Sequence, residues 1–136
     1  FFYKPVGNAN ELVTKFEEHN SQIEIQLATA GGKHGQLVAG IKKDVIISSR
    51  IEERNDRVVI YGWHRPDGTP IQPVYSGHIW WYVDYSHGIR FMNARVLVDG
   101  RPINISDLLN DPVLFRIVSD EDKPTGRAFY PKNMDL

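Results

Sequence analysis

The hydrophobic period changes once along this 136-residue chain, and that change limits the folds open to it. From Asn10 to Ala30 the apolar residues recur at spacings near multiples of four, as in an amphipathic helix packed on a core. From Gly35 onward they come in short β-branched and aromatic runs, which are typical of strands. One helix followed by several strands and short terminal helices predicts an α+β fold built on a mostly antiparallel sheet.

The helical stretch carries its own start and stop signals. Asn8 or Asn10 is expected to cap its first turn, and Gly31-Gly32 is expected to end it in the left-handed conformation that glycine tolerates. The positions predicted to face the core are Leu12, Phe16, Ile23 and Leu27. His19 on this helix and His34 after the glycines are interpreted as solvated or capping groups.

The strand region is predicted from five runs. Short apolar runs lie at 37–39, 45–47 and 58–61, and the densest aromatic and β-branched runs are His78–Tyr85 and Ile89–Val98. The segment Arg50–Arg57 has six charged residues in eight positions and is predicted to be an exposed connection. Pro66–Ile71 and Val98–Ile103 both contain Asp-Gly followed by proline, a pattern that predicts two hairpin tips.

The last third of the chain predicts two short helices and a tail. Ser106 is expected to cap a helix through Leu109, and Asp111 before Pro112 to begin another through Val118. The predicted organisation is one domain, with a helix at about 10–30, a sheet at about 36–104, short helices at about 106–118 and an extended surface tail at 119–136.

Overall composition narrows the classes of partner. Sixteen basic residues balance seventeen acidic ones, so the chain has no general attraction for nucleic acid. The absence of cysteine excludes a thiol nucleophile and a disulfide framework, and no apolar run is long enough for a membrane span. The first residues lack an initiator methionine, which a cleaved export signal or a trimmed chain would explain. An extracellular or periplasmic location is the expectation, with the oligomeric state left open.

Three of the five histidines, His64, His78 and His87, lie between Tyr61 and Arg90. Histidine exchanges protons near neutral pH, and a neighbouring carboxylate orients the ring and stabilises its charged form. Asp84 is the carboxylate nearest to His87 in the sequence, and Gly88 would allow a turn that brings the two together. Asp84 and His87 are therefore the predicted acid–base pair.

His78 is harder to join to this pair. If His78–Tyr85 were one strand, alternate side chains would share a face, and His78 and Asp84 would lie about 20 Å apart on it. That face would hold His78, Trp80, Tyr82 and Asp84. The opposite face, predicted to be core, would hold Ile79, Trp81, Val83 and Tyr85.

Two other chemistries remain open on the same residues. Ser86 lies beside His87, but no Gly-x-Ser-x-Gly elbow is present, which argues against serine catalysis. His64, His78, Asp84 and His87 offer the atom types of a zinc or iron site, although their spacing matches no established metal motif. No cofactor is predicted, with a divalent metal as the variant to test.

The blocks YGWHRPDGTPIQP, at 61–73, and WYVDYSHGIR, at 81–90, resemble an uncharacterised bacterial protein family that carries the same two motifs. The resemblance extends from about Leu37 to Asp120. It implies that His64, Asp84, His87 and Arg90 act as one unit, and it supplies no mechanism.

The order of elements is also similar to that of the papain-like cell-wall hydrolases. In that architecture a helix precedes an antiparallel sheet that bears a catalytic histidine and, on another strand, its polar orienting residue. The defining cysteine is missing here. The resemblance would then imply an inactive relative or a different nucleophile.

These patterns favour a hydrolase that acts on an extracellular or cell-envelope polymer, either a glycan or a peptide. His87 is the predicted general acid or base, Asp84 orients it, and His78 or His64 completes the site. The residues predicted to bind substrate are Arg90, Trp63, Trp80 and Tyr82. The alternative is a non-catalytic carbohydrate- or peptide-binding module in which the aromatic residues form an exposed strip.

Overall fold

The computed structural model describes residues 12–31, 33, 40–88 and 91–130. The predicted strand at 37–39, the capping residues Asn8 and Asn10, and His34 lie outside these ranges. Within them, no helix combines the length and the apolar character needed to cross a membrane.

The fold is α+β with a mainly antiparallel arrangement of strands, as the change of hydrophobic period predicted. The order is α1 (Val13–Thr29), β1 (Lys43–Val45), a 3-10 helix (Ser49–Glu52), β2 (Arg57–His64), β3 (Pro70–Ile79), β4 (His87–Gly88), β5 (Arg95–Val98), β6 (Arg101–Asn104), α2 (Ile105–Asn110) and a second 3-10 helix (Leu114–Ile117). The first four strands form one sheet in the order β3-β2-β1-β4, and β5 and β6 form a second.

Helix α1 buries fewer apolar residues than its period predicted. Ile23 is buried, but Leu12 and Phe16 are exposed, and the fully buried polar position is His19. Leu12 occupies the N-cap position without a side-chain hydrogen bond. At the other end Gly31 adopts a φ of 65°, the left-handed stop that the sequence predicted.

In the four-stranded sheet, β1 is central to the arrangement of functional residues. It pairs antiparallel with β2, with Lys43 opposite Gly62, and parallel with β4, with Lys43 opposite His87. The predicted strand at 45–47 is thus shifted toward the N-terminus, since β1 ends at Val45. Residues directly opposite in adjacent strands project from the same face, so Lys43 and His87 share a face of the sheet.

The predicted strand His78–Tyr85 is wrong. β3 begins eight residues earlier, at Pro70, and ends at Ile79, and the chain turns at Trp80 and Trp81. β3 lies at the edge of its sheet, where Pro70 and Pro73, which lack an N–H, are tolerated. The alternation assigned to 80–85 therefore does not exist, and Trp81 and Val83, predicted as core, are exposed.

In the described part of the predicted strand Ile89–Val98, only the end is a strand. Residues 91–94 are not extended in a sheet, and β5 begins at Arg95. β5 and β6 form the predicted hairpin, with Val98 opposite Arg101. Asp99 and Gly100 both have positive φ angles, 50° and 77°, as a two-residue type I′ turn requires. The predicted tip at Pro66–Ile71 likewise lies between β2 and β3, and there Arg65 N donates to Thr69 O at 2.9 Å.

The short C-terminal helices are present with altered caps. α2 begins at Ile105 with Asn104 at its N-cap, so the predicted Ser106 cap is wrong. Asp111 does cap the next segment, because its Oδ1 accepts hydrogen bonds from Val113 N and Leu114 N. That segment is a 3-10 helix.

The contacts between residues divide the chain into two compact units. Unit 1 comprises the described residues within Phe1–Val45, Ile60–Tyr75 and Trp81–Ile89; unit 2 comprises those within Ile46–Val59, Ser76–Trp80 and Arg90–Leu136. Strands β2 and β3 contribute residues to both. The buried apolar residues of unit 1 are Ile23, Ile60, Trp63 and Tyr85; those of unit 2 are Ile51, Val58, Val59, Leu108, Leu109 and Phe115.

Candidate acid–base site

The segment from Asp84 to Gly88 folds back on itself in unit 1. Asp84 Oδ1 accepts hydrogen bonds from Ser86 N at 2.8 Å and from Ser86 Oγ at 2.5 Å, and His87 N donates to Asp84 O at 3.1 Å. This turn brings His87 Nδ1 to 3.2 Å from Asp84 Oδ1. The predicted approach of His87 to Asp84 is confirmed.

Asp84 contacts His87 Nδ1 through two of its groups. Its backbone N–H donates to Nδ1 at 3.0 Å, which requires a nitrogen without a proton. Its carboxylate Oδ1 lies 3.2 Å from the same nitrogen and accepts a hydrogen bond when that nitrogen is protonated. The ring therefore has a partner on Asp84 in either state of Nδ1.

Asp84 is held as an anion in a nearly closed environment. Its side chain is 6% exposed and that of His87 is 7% exposed. Burial by itself would raise the pKa of Asp84, but hydrogen bonds from His87 and Ser86 and the charge of Lys43 together hold that pKa well below its usual range. Since Ser86 Oγ donates to the carboxylate, this hydroxyl is bound as an orienting group.

Two consecutive lysines hold this turn from opposite faces of the sheet. Lys43 lies on the face of His87, and its Nζ is 3.2 Å from Asp84 Oδ2. Strand alternation places Lys42 and Asp44 on the other face. A Cβ at Gly88 would lie 2.8 Å from both Lys42 Cβ and Asp44 Oδ1, which confirms that β4 packs tightly against this pair.

On the Lys42 face, a second polar cluster joins α1 to the turn. His19 Nδ1 lies 2.9 Å from Tyr85 O and 2.9 Å from Lys42 Nζ, and Lys42 Nζ also donates to Tyr85 O. The His19 ring packs against Trp63 and Tyr85, with centroids 5.9 Å and 5.3 Å away. The interpretation of His19 as a solvated group is wrong, because the residue is fully buried.

Burial governs the protonation of this cluster. It lowers the pKa of His19; the hydrogen bond to Tyr85 opposes that shift, and the charge of Lys42 lowers the pKa further. Burial also lowers the pKa of Lys42, while the Asp84 charge raises it. A histidine in such surroundings stays neutral near pH 7 and serves as a packed hydrogen-bonding group.

The other predicted histidines are placed elsewhere. His64 ends β2, where its Nε2 is 3.0 Å from Tyr61 Oη and the two rings meet edge to face. His78 belongs to unit 2, and its Nδ1 lies 2.8 Å from Ile79 O. The catalytic role of these two histidines stays a prediction.

The predicted substrate-binding residues differ in exposure. Trp63 is 6% exposed and packs edge to face on Tyr85, so its assignment to an exposed surface strip is wrong. Trp80 is exposed and belongs to unit 2. Tyr82 lies in unit 1 with its ring edge-on to His87 at 6.3 Å. Arg90 lies outside the described residues.

The hypothesis of a zinc or iron site has no geometric support in the described ranges. Among those residues, no group of three or more histidine and carboxylate side chains is arranged to hold an ion.

Sequence reasoning missed His19, Lys42 and Lys43. For His19 a signal existed, because it lies three residues after Phe16 and four before Ile23, on the same helical stripe. The sequence contains no comparable signal for Lys42 and Lys43, since two lysines before a short apolar run are typical of a solvated strand end. Their partners in the turn lie more than forty positions away.

Comparison of this chain with protein-family models, with curated proteins and with solved structures found no match.

Proposed function

We propose that this protein is a hydrolase in which His87 is the general acid–base group and Asp84 orients it. The observation that carries the proposal is the pair of contacts from Asp84 to His87 Nδ1, one from the backbone N–H and one from the carboxylate. Because Nδ1 has a partner on Asp84 whether or not it carries a proton, the ring can keep one orientation in both states.

The chemistry follows from the anionic state of Asp84. While Nδ1–H donates to the anionic carboxylate, Nε2 is the atom that takes a proton from an attacking water and returns it to the leaving group. The carboxylate stabilises the imidazolium formed between these two transfers. Low exposure strengthens that stabilisation, because little water screens the charges.

The proposed substrate is a glycan or peptide of the extracellular space or cell envelope. Tyr82, next to the His87 ring, offers an aromatic edge for a sugar or side chain, and Arg90 is proposed to bind an anionic or carbonyl group.

The non-catalytic alternative has less support. A stacking surface for sugars needs aromatic faces open to solvent, and the burial of Trp63 removes one of its three proposed members. A buried carboxylate bound to a histidine contributes nothing to such a surface.

The test is a panel of p-nitrophenyl esters, p-nitrophenyl glycosides, peptide anilides and peptidoglycan fragments, assayed from pH 4 to 9. We expect one class to be hydrolysed, and His87→Gln to reduce its kcat/KM by about 10²- to 10⁴-fold. Asp84→Asn should reduce it too, while the matched control Asp99→Asn, in the exposed β5–β6 turn, retains activity. Failure of the parent protein to cleave any member, or a fully active His87→Gln variant, would contradict the proposal.

A further inference from the structure

The two carboxylate oxygens of Asp84 serve different partners. Oδ1 faces His87 and Ser86, whereas Oδ2 lies 3.2 Å from Lys43 Nζ. The side chains of Lys43 and Asp84 are 12% and 6% exposed, so this ion pair is largely removed from water. The His87 ring therefore experiences the combined charge of Asp84 and Lys43. A carboxylate alone would present a full negative charge to the ring.

The position of Lys43 is set by the backbone on both sides of it. The backbone N–H of Lys43 donates to Ser86 O at 2.8 Å, and Lys43 lies opposite His87 in the parallel β1–β4 register. These contacts keep the ammonium on the same face as the ring. A charge fixed in this way acts on His87 continuously, unlike a mobile surface lysine.

We propose that Lys43 is a positioning residue that sets the proton affinity of His87 by binding the second oxygen of Asp84. The inference rests on the proposed acid–base role of His87 and names the residue that tunes it. Without the ammonium, the carboxylate would stabilise the imidazolium more strongly. With the ammonium present, Asp84 orients the ring while its pull on the proton is partly cancelled.

Other ionisable groups near His87 act from different directions. Tyr82 lies edge-on to the ring, and Asp44 lies across Gly88 from it. Lys42 and His19 lie on the opposite face of the sheet, against the Tyr85 carbonyl. Of the described residues in unit 1, Lys43 is the cation in contact with the Asp84 carboxylate.

The test is an NMR titration of the ring resonances of His87 in protein labelled on histidine, which needs no substrate. In Lys43→Met the titration midpoint of His87 should rise by about 1 pH unit, because the buried carboxylate then loses the ammonium that lies 3.2 Å from its Oδ2. Lys43→Arg, which keeps the charge, should bring the midpoint back toward that of the parent. The control is Lys15→Met, since Lys15 pairs with Glu18 on the surface of α1 and should leave the midpoint unchanged.

Equal midpoints in Lys43→Met and the parent would overturn the inference, as would an equal shift in Lys15→Met. If Lys43→Met does not fold, Lys43→Gln, which also removes the charge beside Asp84 Oδ2, is titrated in its place, and a midpoint equal to that of the parent again overturns the role of Lys43. A protein that cleaves no substrate but shows these shifts would contradict the hydrolase proposal alone.

Discussion

Asp84 has three sets of contacts in unit 1. It accepts the hydrogen bonds that close its own turn, it pairs with Lys43, and it contacts His87 through both main chain and side chain. The contacts of the side chain depend on the carboxylate staying ionised while buried. The hydrogen bonds and the ion pair together exceed the penalty of burial, which is why its pKa falls.

The buried ring of His19 leads to a prediction about the pH dependence of stability. Its pKa is lowered from a usual value of 6.5, so the unfolded chain binds a proton there that the folded chain does not. Stability attributable to His19 is therefore complete above pH 6.5 and is lost as the pH falls below that value toward the lower folded pKa. The loss of stability between pH 7.5 and pH 5.0 should be smaller in His19→Gln than in the parent.

The measurement is the urea midpoint of each protein at the two pH values. The chosen window stays above the range where Asp84 would become protonated in the unfolded state, because the usual pKa of that carboxyl is 3.8. An unchanged pH dependence in the variant would show that the buried ring is not the group responsible.

Among the elements, β4 has the least regular structure and the greatest influence on the site. It is two residues long, yet its pairing with β1 fixes His87 beside Lys43. This close approach of β4 to β1 requires glycine at position 88, because any Cβ there would clash with Lys42 Cβ. That atom is bonded directly to the backbone and cannot move away by a change of rotamer. The glycine is required by close packing and not by an unusual φ.

Gly88→Ala should therefore destabilise the protein by about 1–3 kcal/mol, the range expected for overpacking. The matched control is Gly68→Ala in the β2–β3 turn, where a Cβ would meet nothing within 4 Å but φ is 84°. That control should cost about 1–2 kcal/mol through the backbone alone and leave the His87 resonances in place. A Gly88→Ala variant with unaltered stability and unaltered His87 resonances would refute the packing argument.

Across the whole molecule, each unit is stabilised by contacts between residues that are far apart in the sequence. In unit 2, residues after Ser119 bind near the first 3-10 helix: Ser48 Oγ donates to Glu121 Oε1 at 2.5 Å, and Arg127 Nη2 donates to Ile51 O at 2.9 Å. Thr125 is buried. Between 119 and 130, the predicted surface tail is instead an integral part of unit 2.

Tyr130 tests this integration. Its hydroxyl accepts a hydrogen bond from Val59 N at 2.9 Å and donates one to Ile46 O at 2.7 Å. Tyr130→Phe leaves both backbone groups without that partner and should lower the free energy of unfolding by about 1–3 kcal/mol. Tyr75→Phe, at an exposed position, should change it little. Equal urea midpoints for Tyr130→Phe and the parent would show that the tail contributes nothing to stability.

Local sequence determined the parts of this protein that depend on neighbours in the chain. The α+β class, the glycine stop of α1, the Asp99-Gly100 turn and the approach of His87 to Asp84 all arise within a few residues, where backbone preference and spacing suffice. Tertiary structure decided the rest. The start of β3 depended on its place at a sheet edge, and His19, Lys42 and Lys43 gained their roles from partners more than forty positions away. Pairing across such distances reflects the packing of whole elements, which the period of a single segment does not encode.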